Sequence, residues 1–346
     1  MPEQQAKVVD QRFLALQAWF AQQAPHVAAQ LNRESLPAGQ WQAGGSDASF
    51  RRYFRWRSES LQLVLMDAPP PQEDCRPFVR MAQMLGQAGL NVPRILAQDV
   101  QQGFLVLSDL GEQTWLQVLN ADNADALFRQ ALAVLVQMQQ IDVAGSGLPL
   151  YDETLLRREL ELFPDWYVAR ELGVQLDAQQ RQWWQQGCDL LVQAALAQPT
   201  VLVHRDFMPR NLMAGGGEPG VLDFQDAVVG PVSYDVISLF RDAFISWSPE
   251  QVHGWLLHYW RLAQESGLPV PGSFADFARD CDLMGLQRHL KVIGIFARIC
   301  HRDGKPAYLR DVPRFFAYIR PVLGRYPQLR PLQQLLDSLP LPEGCR

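Results

Sequence analysis

One part of the chain concentrates residues whose types and spacing are suited to chemistry. Residues 201–213 read Val-Leu-Val-His-Arg-Asp-Phe-Met-Pro-Arg-Asn-Leu-Met, and residues 220–226 read Gly-Val-Leu-Asp-Phe-Gln-Asp. An apolar strand would carry Asp206 into a loop, Asn211 follows five residues later, and a return strand ends at Asp223. Phosphoryl transfer needs a carboxylate that orients the attacking hydroxyl, and an amide oxygen and a second carboxylate that hold Mg²⁺. The spacing therefore predicts a phosphoryl-transfer site.

Asp and Asn also favour ordinary turns for reasons of their own. The two flanking apolar strands and the second acid at the end of the return strand make that explanation the weaker one. The pattern His-Arg-Asp-x-x-x-x-Asn followed by Asp-Phe-Gln-Asp resembles the catalytic segment of the aminoglycoside phosphotransferase-like kinases. The resemblance implies that Asp206 is the catalytic carboxylate, that Asn211 and Asp223 bind Mg²⁺, and that Asp226 is the family's second acid.

The resemblance also implies a fold of the α+β class, two-lobed and protein-kinase-like. Residues 1–108 would form a small, β-rich nucleotide-binding lobe with a leading helix, and residues 109–346 a larger, mostly helical catalytic and sugar-binding lobe. The apolar periodicity agrees with this division. It predicts helices over residues 9–31, 74–88, 124–140, 152–172, 178–197 and 236–244 and through most of 249–336, with strands around residues 61–67, 95 and 104–108.

Residues 44–49, Gly-Gly-Ser-Asp-Ala-Ser, precede an alternating strand and are typical of a loop whose backbone N–H groups approach phosphates. We expect Gly45, Ser46 and Ser49 to contact the nucleotide, although the same residues also suit a hairpin turn. In the resembled family, the polar joint after the strand at residues 104–108 bonds the adenine through its backbone. The corresponding positions here are Ser108 and Leu110.

The strand that normally carries a phosphate-binding lysine has Met66 near that place, and no lysine lies between Lys7 and Lys291. An arginine of the preceding strand is a chemically reasonable substitute, because a guanidinium group is always charged and contacts phosphate with two N–H groups. The candidates are Arg51, Arg52 and Arg55, and Arg52 is our choice.

The composition excludes several classes of protein. The net charge of −6 argues against nonspecific nucleic-acid binding, and no apolar run approaches the length of a membrane span. The first residues lack the basic start and apolar core of a signal peptide. The five cysteines are scattered and odd in number, which fits reduced thiols in the cytoplasm. We expect a cytoplasmic protein, monomeric, with no nucleic-acid or membrane partner.

Further stretches, including Leu-Met-Asp-Ala-Pro-Pro at residues 65–70 and Leu-Ser-Asp-Leu-Gly at residues 107–111, look like one bacterial subgroup. These are the N-acetylmuramate/N-acetylglucosamine anomeric kinases of peptidoglycan recycling. The subgroup uses ATP and Mg²⁺ to phosphorylate the C1 hydroxyl of an amino sugar, giving the α-1-phosphate. Residues 288–325 contain nine basic residues against two acidic ones, which suits an anionic acceptor. We expect Arg288 and Lys291, with Asp226, to contact the sugar.

Other functions stay open from the sequence alone. A kinase of another small alcohol, such as choline, homoserine or an aminoglycoside, would share every nucleotide-side motif. The missing lysine also leaves open a nucleotide-binding module without catalysis. A protein kinase is disfavoured, because Asp-Phe-Gln-Asp replaces Asp-Phe-Gly and no Ala-Pro-Glu follows.

Overall fold

The computed structural model describes residues 10–46, 50–215 and 217–345. The chain forms two compact units. The first consists of Met1–Glu112 and a returning segment, Gly220–Gln225, and the second consists of Gln113–Pro219 and Asp226–Arg346.

The first unit is built on an antiparallel five-stranded sheet with strand order β1-β2-β3-β5-β4. Its elements are α1 (Gln11–Gln30), β1 (Gln40–Ser46), β2 (Arg52–Arg57), β3 (Gln62–Asp67), α2 (Arg76–Gln87), β4 (Ile95–Asp99) and β5 (Phe104–Ser108).

Helix α1 covers one face of this sheet. Asp10 caps its first turn by accepting a hydrogen bond from the Phe13 N–H. Phe13 stacks on Phe54 with ring centroids 4.4 Å apart, and Phe20 packs edge-on against Trp56 at 5.6 Å. Side chains alternate along a strand, so the residues of β2 at even positions lie on the α1 face. The residues of β2 at odd positions therefore lie on the opposite face.

The second unit is mostly helical. Its elements begin with β6 (Gln113–Thr114), α3 (Trp115–Val118), α4 (Ala124–Gln139), α5 (Glu153–Leu160), a π-helical segment (Phe163–Glu171), α6 (Ala178–Leu196), β7 (Thr200–Val203) and β8 (Leu212–Ala214). After β9 (Gly220–Val221), which belongs to the returning segment, come β10 (Val228–Pro231), α7 (Tyr234–Phe240), α8 (Pro249–Glu265), α9 (Phe274–Asp303), α10 (Val312–Arg325) and α11 (Arg330–Ser338).

Helix α9 runs through the core of the second unit. Its 30 residues pack against the π-helical segment so closely that a Cβ atom on Gly294 would lie 2.3 Å from the carbonyl carbon of Leu162. Glycine at this position is therefore a packing requirement. Strand β7 pairs antiparallel with β10, and this small sheet carries the chain into the loop that follows Val203.

The predicted α+β class, with a β-sheet part followed by a helical part, is confirmed. The helix predicted over residues 152–172 is instead α5 followed by the π-helical segment, and the helix predicted over 236–244 begins and ends earlier, as α7. The predicted glycine loop is shorter than expected, because β1 continues through Gly44, Gly45 and Ser46. No described helix has the length and apolarity needed to cross a membrane.

Candidate active site

A buried carboxylate, that of Asp235, binds the backbone of the loop that follows β7. Asp235, at the start of α7, is fully buried, and its two oxygens accept the backbone N–H groups of His204 at 2.6 Å and Arg205 at 3.0 Å. Burial raises the pKa of Asp235 to about 7. Arg205 has a positive φ of 76°, which is uncommon for a residue with a side chain. The Asp235 carboxylate stabilises this turn, and the turn directs the next residue, Asp206, outward.

Asp206 and Asn211 are joined by a short hydrogen-bonded loop. The side-chain amide of Asn211 donates to the carbonyl oxygen of Asp206 at 2.9 Å, and the Asn211 N–H donates to the Met208 carbonyl at 2.9 Å. The Asp206 N–H in turn donates to Nδ1 of the buried His204 at 3.3 Å. Because the amide nitrogen of Asn211 is engaged in this loop, the orientation of its side-chain oxygen is set. Asp206 itself is half-buried.

A second buried carboxylate, Glu159 on α5, holds the side chain of Arg205. Arg205 Nη2 donates to Glu159 Oε1, and the Lys291 ammonium lies 3.1 Å from the same oxygen. The Tyr151 hydroxyl donates to Glu159 Oε2, and Lys291 also donates to the Tyr234 hydroxyl at 3.0 Å. Glu159 is thus the centre of a buried network that includes the arginine of the His-Arg-Asp sequence.

The network is ionised. Burial opposes the charge of Glu159, but Lys291 and Arg205 outweigh it and hold the pKa of Glu159 below its usual value. Burial likewise opposes the charge of Lys291, but Tyr234 and Glu159 outweigh it and raise the pKa of Lys291. Two cations therefore share one carboxylate, which is the arrangement that makes a buried charge tolerable.

This network bears on the predicted acceptor contacts. Lys291 was predicted to contact the acceptor, but its ammonium is committed to Glu159 and Tyr234. Arg288, one helical turn earlier on α9, is buried, and its Nε and Nη1 atoms have no hydrogen-bond partner within the described residues. The structure therefore separates the two basic residues that the sequence placed together. Asp226, the third predicted acceptor contact, is exposed.

Asp223 lies in the returning segment of the first unit. Its φ is 64°, and its Oδ1 accepts a hydrogen bond from the Gln225 side chain at 2.8 Å. The segment is fixed to its unit by the Val221 N–H, which donates to the Asn91 carbonyl at 2.8 Å, and by Phe224, whose ring lies 4.9 Å from that of Phe78 on α2. The strained backbone at Asp223 is therefore supported by packing on both sides.

The predicted nucleotide contacts near the glycine loop have mixed outcomes. Gly45 and Ser46 are part of β1, where Ser46 pairs with Arg52 of β2, and Ser49 lies outside the described residues. A Cβ atom on Gly44 would lie 2.5 Å from the Tyr53 carbonyl oxygen. The first glycine of this stretch is thus required by strand packing.

Arg52 lies on the α1 face of the sheet. Its Nη2 donates to Asp67 Oδ2 at 2.6 Å, its Nη1 donates to Asp10, and its guanidinium lies 5.5 Å from the centre of the Phe54 ring. Met66, the residue near the usual lysine position, points to the other face, because it neighbours Asp67 on β3. Arg52, our choice as the substitute for the lysine, is thus paired with two acids on the α1 face, and its role at the phosphates stays a prediction. In protein kinases that lysine pairs with a glutamate, and α2 contains no acidic residue.

Ser108 and Leu110, the predicted adenine contacts, lie in a joint that is held by hydrogen bonds. The N–H of Ser108 donates to the Arg94 carbonyl at 2.9 Å, and its hydroxyl accepts the Arg94 N–H at 2.8 Å. Arg55 Nε lies 3.0 Å from Asp109, and Arg55 Nη2 donates to the Gly111 carbonyl at 2.5 Å. The polar groups of Ser108 are therefore used within the sheet, while Arg55 fixes the backbone on both sides of Leu110.

Sequence reasoning missed Glu159 and Asp242, two buried acids of the second unit. A signal for Glu159 exists, since it lies among Leu156, Leu160 and Phe163 at helical spacing, where an apolar residue is expected. Asp242 follows α7 in the run Phe-Arg-Asp-Ala-Phe, which has no such periodicity.

The donor set suits Mg²⁺. A side-chain amide oxygen and a carboxylate are hard oxygen ligands, and a magnesium ion in proteins needs only one or two carboxylates. Asn211 and Asp223 supply oxygens of these two kinds, and it is the amide nitrogen of Asn211, not its oxygen, that donates to the Asp206 carbonyl. The cluster Glu171, Cys300 and His301 also has metal-ligand chemistry, but His301 already pairs with Glu171 at 2.8 Å.

Comparison with known proteins places these features in a family. The pattern of the phosphotransferase enzyme family (APH) matches residues 40–269. A protein of Pseudomonas aeruginosa named N-acetylmuramate/N-acetylglucosamine kinase is 58% identical over 96% of this chain and 98% of its own length. Proteins of the same name from Pseudomonas putida and Neisseria meningitidis are 56% identical, over 95% of this chain and 97% of the relative, and 48% identical, over 85% and 89%.

Solved structures share the fold at low sequence identity. The GDP complex of aminoglycoside 2'-phosphotransferase-IIIa is 14% identical, with a TM-score of 0.57 over 88% of this chain and 99% of that chain. A choline kinase from Streptococcus pneumoniae is also 14% identical, with a TM-score of 0.57 over 89% and 100%. The fold is thus the protein-kinase-like fold of the aminoglycoside phosphotransferases, and the chain belongs to the phosphotransferase enzyme family.

Proposed function

We propose that this phosphotransferase uses ATP to phosphorylate the anomeric C1 hydroxyl of N-acetylmuramate and N-acetylglucosamine, giving the α-1-phosphate in peptidoglycan recycling. The observation that carries the proposal is the 58% identity, over nearly the whole of both chains, to a relative named for these two sugars. The loop that presents Asp206 and Asn211, held by Asp235, is the supporting geometry.

Asp206 is the catalytic residue in this proposal. Its carboxylate accepts the proton of the sugar O1 hydroxyl or orients that hydroxyl toward the γ-phosphorus. Asp235 and Glu159 are positioning residues, because they hold the backbone and the side chain of Arg205 and thereby set the direction of Asp206. Most of the rate would come from this positioning, since phosphoryl transfer asks for little covalent chemistry from the protein.

Asn211 and Asp223 are the proposed ligands of Mg²⁺, which when bound would neutralise charge on the nucleotide phosphates. The first unit would bind ATP, through the backbone of Gly45 and Ser46, through Ser49 and through the joint around Ser108 and Leu110. The second unit would bind the sugar. The division at residue 108 and these nucleotide contacts stay predictions, as do the monomeric state and the cytoplasmic location.

A direct assay tests the proposal. The purified protein with ATP and Mg²⁺ is expected to convert both sugars to products whose ³¹P signal splits by coupling to the anomeric proton. Phosphorylation at any other hydroxyl, or turnover of choline, homoserine or kanamycin in preference to the sugars, would overturn the substrate assignment. ATP binding without turnover of any acceptor would instead support the non-catalytic alternative.

A further inference from the structure

The middle of α9 is unusual because it is buried on every side and still carries charge. All residues from 281 to 291 are buried, and five of them are polar or charged: Asp282, Gln287, Arg288, His289 and Lys291. A helix in a protein core normally has few such residues, and each one needs a partner. The hydrogen-bond and ion-pair partners of each residue show whether it stabilises the fold or has donors that the fold does not use.

Four of the five have protein partners, and His289 is one of them, through a hydrogen bond with the backbone of Arg241. Asp282 accepts hydrogen bonds from Arg241 at 2.8 Å and from the Tyr326 hydroxyl at 2.8 Å. Gln287 and Lys291 both contact Glu159. These residues are accounted for by the packing of the second unit.

Arg288 is not accounted for in this way. It is 2% exposed, yet Nε and Nη1 of its guanidinium make no hydrogen bond within the described part of the chain. A buried charged group without hydrogen bonds is costly, so natural proteins keep one only where something else supplies the bonds.

Asp242 is a buried acid that, like Arg288, lacks some of its hydrogen bonds. Asp242 is fully buried, and its Oδ1 accepts the Ala243 N–H at 2.5 Å, while Oδ2 has no partner among the described residues. Burial raises the pKa of Asp242 to about 6, and the charges of Arg288, Arg210 and Arg314 oppose that rise. The charges of these three arginines thus act on Asp242, although none of them makes a hydrogen bond to it within the described residues.

The surrounding segment also presents unpaired donors. Arg314 on α10 donates from Nη1 to the Ser246 hydroxyl at 2.5 Å, but its Nε is unpaired within the described residues, as is the indole nitrogen of Trp247. Tyr318 ties Ser246 to the chain at Asp242 by hydrogen bonds of 2.8 and 3.3 Å. The unpaired atoms therefore belong to a part of the second unit that is held together by hydrogen bonds.

The region around Asp242, Ser246 and Arg314 adjoins the catalytic loop. Arg210 is the residue before Asn211, and its guanidinium lies 5.2 Å from the ring of Phe244, two residues beyond Asp242. The charge of Arg288 also acts on Asp235, the carboxylate that holds the loop. The charges of Arg288, Arg210 and Arg314 all act on Asp242, and cations beside an acid suit a ligand that brings both an anion and hydroxyl groups.

We infer that Arg288 and Asp242, with Arg210 and Arg314, form an acceptor subsite in the second unit that recognises a sugar carboxylate. This inference rests on the proposed function. Arg288 binds the carboxylate of the lactyl ether of N-acetylmuramate, and Asp242 accepts a hydrogen bond from a ring hydroxyl. N-acetylglucosamine has the hydroxyls but not the carboxylate. Arg288 is therefore the residue that distinguishes the two acceptors, and Lys291 is not.

The test compares kcat/KM for the two sugars in wild type, Arg288→Gln and Asp242→Asn. Arg302→Gln is the matched control, because Arg302 lies on the same helix, is exposed and pairs with Asp303. Loss of a charge-assisted contact should lower kcat/KM of Arg288→Gln for N-acetylmuramate by ~10- to 100-fold, with a change of only about 3-fold or less for N-acetylglucosamine. Asp242→Asn should impair both sugars, and the control neither.

A binding measurement keeps the inference separate from the proposed function. Calorimetry with N-acetylmuramate and its methyl ester asks only whether a free carboxylate is recognised. Wild type should bind the acid more tightly than the ester, and Arg288→Gln should bind them equally; this result supports the subsite even if no sugar is phosphorylated. Equal binding of acid and ester by wild type, or equal losses for both sugars in folded Arg288→Gln, would overturn the subsite even if both sugars are substrates. Thermal melting of each variant establishes that it is folded.

Discussion

Arg52 and Asp67 lie opposite each other on β2 and β3, and Arg52 Nη2 donates to Asp67 Oδ2 at 2.6 Å. Asp67 is fully buried and also accepts a hydrogen bond from Arg12 Nε on α1 at 2.6 Å. One buried acid thus ties the leading helix to two strands of the sheet. We therefore expect Arg52 to stabilise the first unit rather than to bind phosphate.

The first prediction follows from this pair. Arg52→Ala removes one of two cations from a buried carboxylate, and the guanidinium it removes is about a third exposed (36%), so we expect the free energy of unfolding to fall by roughly 1–2 kcal/mol. The KM for ATP should stay within about twofold. Arg51→Ala is the comparison, since Arg51 pairs with Glu73 at 3.5 Å and not with Asp67. Urea denaturation and ATP titration give the two readouts; a large rise in the KM for ATP without a stability loss in Arg52→Ala would contradict the assignment.

The second prediction concerns the catalytic carboxylate. Asp206→Asn keeps the size of the side chain and removes its basicity, so kcat should fall by ~10²–10⁴ while ATP affinity changes little. Asp189→Asn on the exposed side of α6 is a control for a lost carboxylate on the same unit. Activity of Asp206→Asn within a few-fold of wild type would remove Asp206 from its role.

The third prediction tests the buried network behind the loop. Glu159→Gln deprives Arg205 and Lys291 of their shared anion, which loosens the side chain next to Asp206, so kcat should fall by roughly 10- to 100-fold with a smaller change in acceptor KM. Glu153→Gln on the same helix loses only an exposed pair with Arg157 and should behave like wild type. Indistinguishable kcat values for the two variants would show that the network serves stability alone.

The sequence predicted the catalytic loop well because its pattern is local: apolar strands deliver His204–Asp206 and the chain returns within about twenty residues. It also predicted the long helices, whose periodicity is strong. It did not predict the ion pairs of Arg52 and Lys291, because the sequence does not show which of several cations pairs with which carboxylate. Those pairings join residues 15 and 132 positions apart, as in Arg52 with Asp67 and Lys291 with Glu159, and no short-range pattern encodes them. Gly44 shows a related limit, since a phosphate-binding glycine and a strand-packing glycine look alike in sequence.

The fourth prediction concerns the metal. Asp223→Ala removes a proposed oxygen ligand, so turnover should become very low and the Mg²⁺ concentration for half-maximal activity should rise steeply. Gln225→Ala, which removes only the neighbour that bonds Asp223 Oδ1, should shift that concentration much less. A Mg²⁺ titration of Asp223→Ala that overlays the wild-type curve would place the metal on other residues.

The last prediction is a pH dependence that follows from Asp242. Burial raises its pKa to about 6, so the group is largely a carboxylate at pH 7.5 and largely protonated at pH 5. Only the ionised form can accept a hydrogen bond from a sugar hydroxyl at both oxygens, so kcat/KM for N-acetylglucosamine should decrease as the pH falls through about 6, by up to about tenfold per pH unit. Asp242→Asn cannot titrate, so its lower activity should lose the inflection near pH 6 and keep only the one near pH 7 that belongs to Asp235. Asp311→Asn, which changes a half-exposed acid beside Arg314, should keep the wild-type profile. An inflection near pH 6 that persists in Asp242→Asn would assign that titration to a different group.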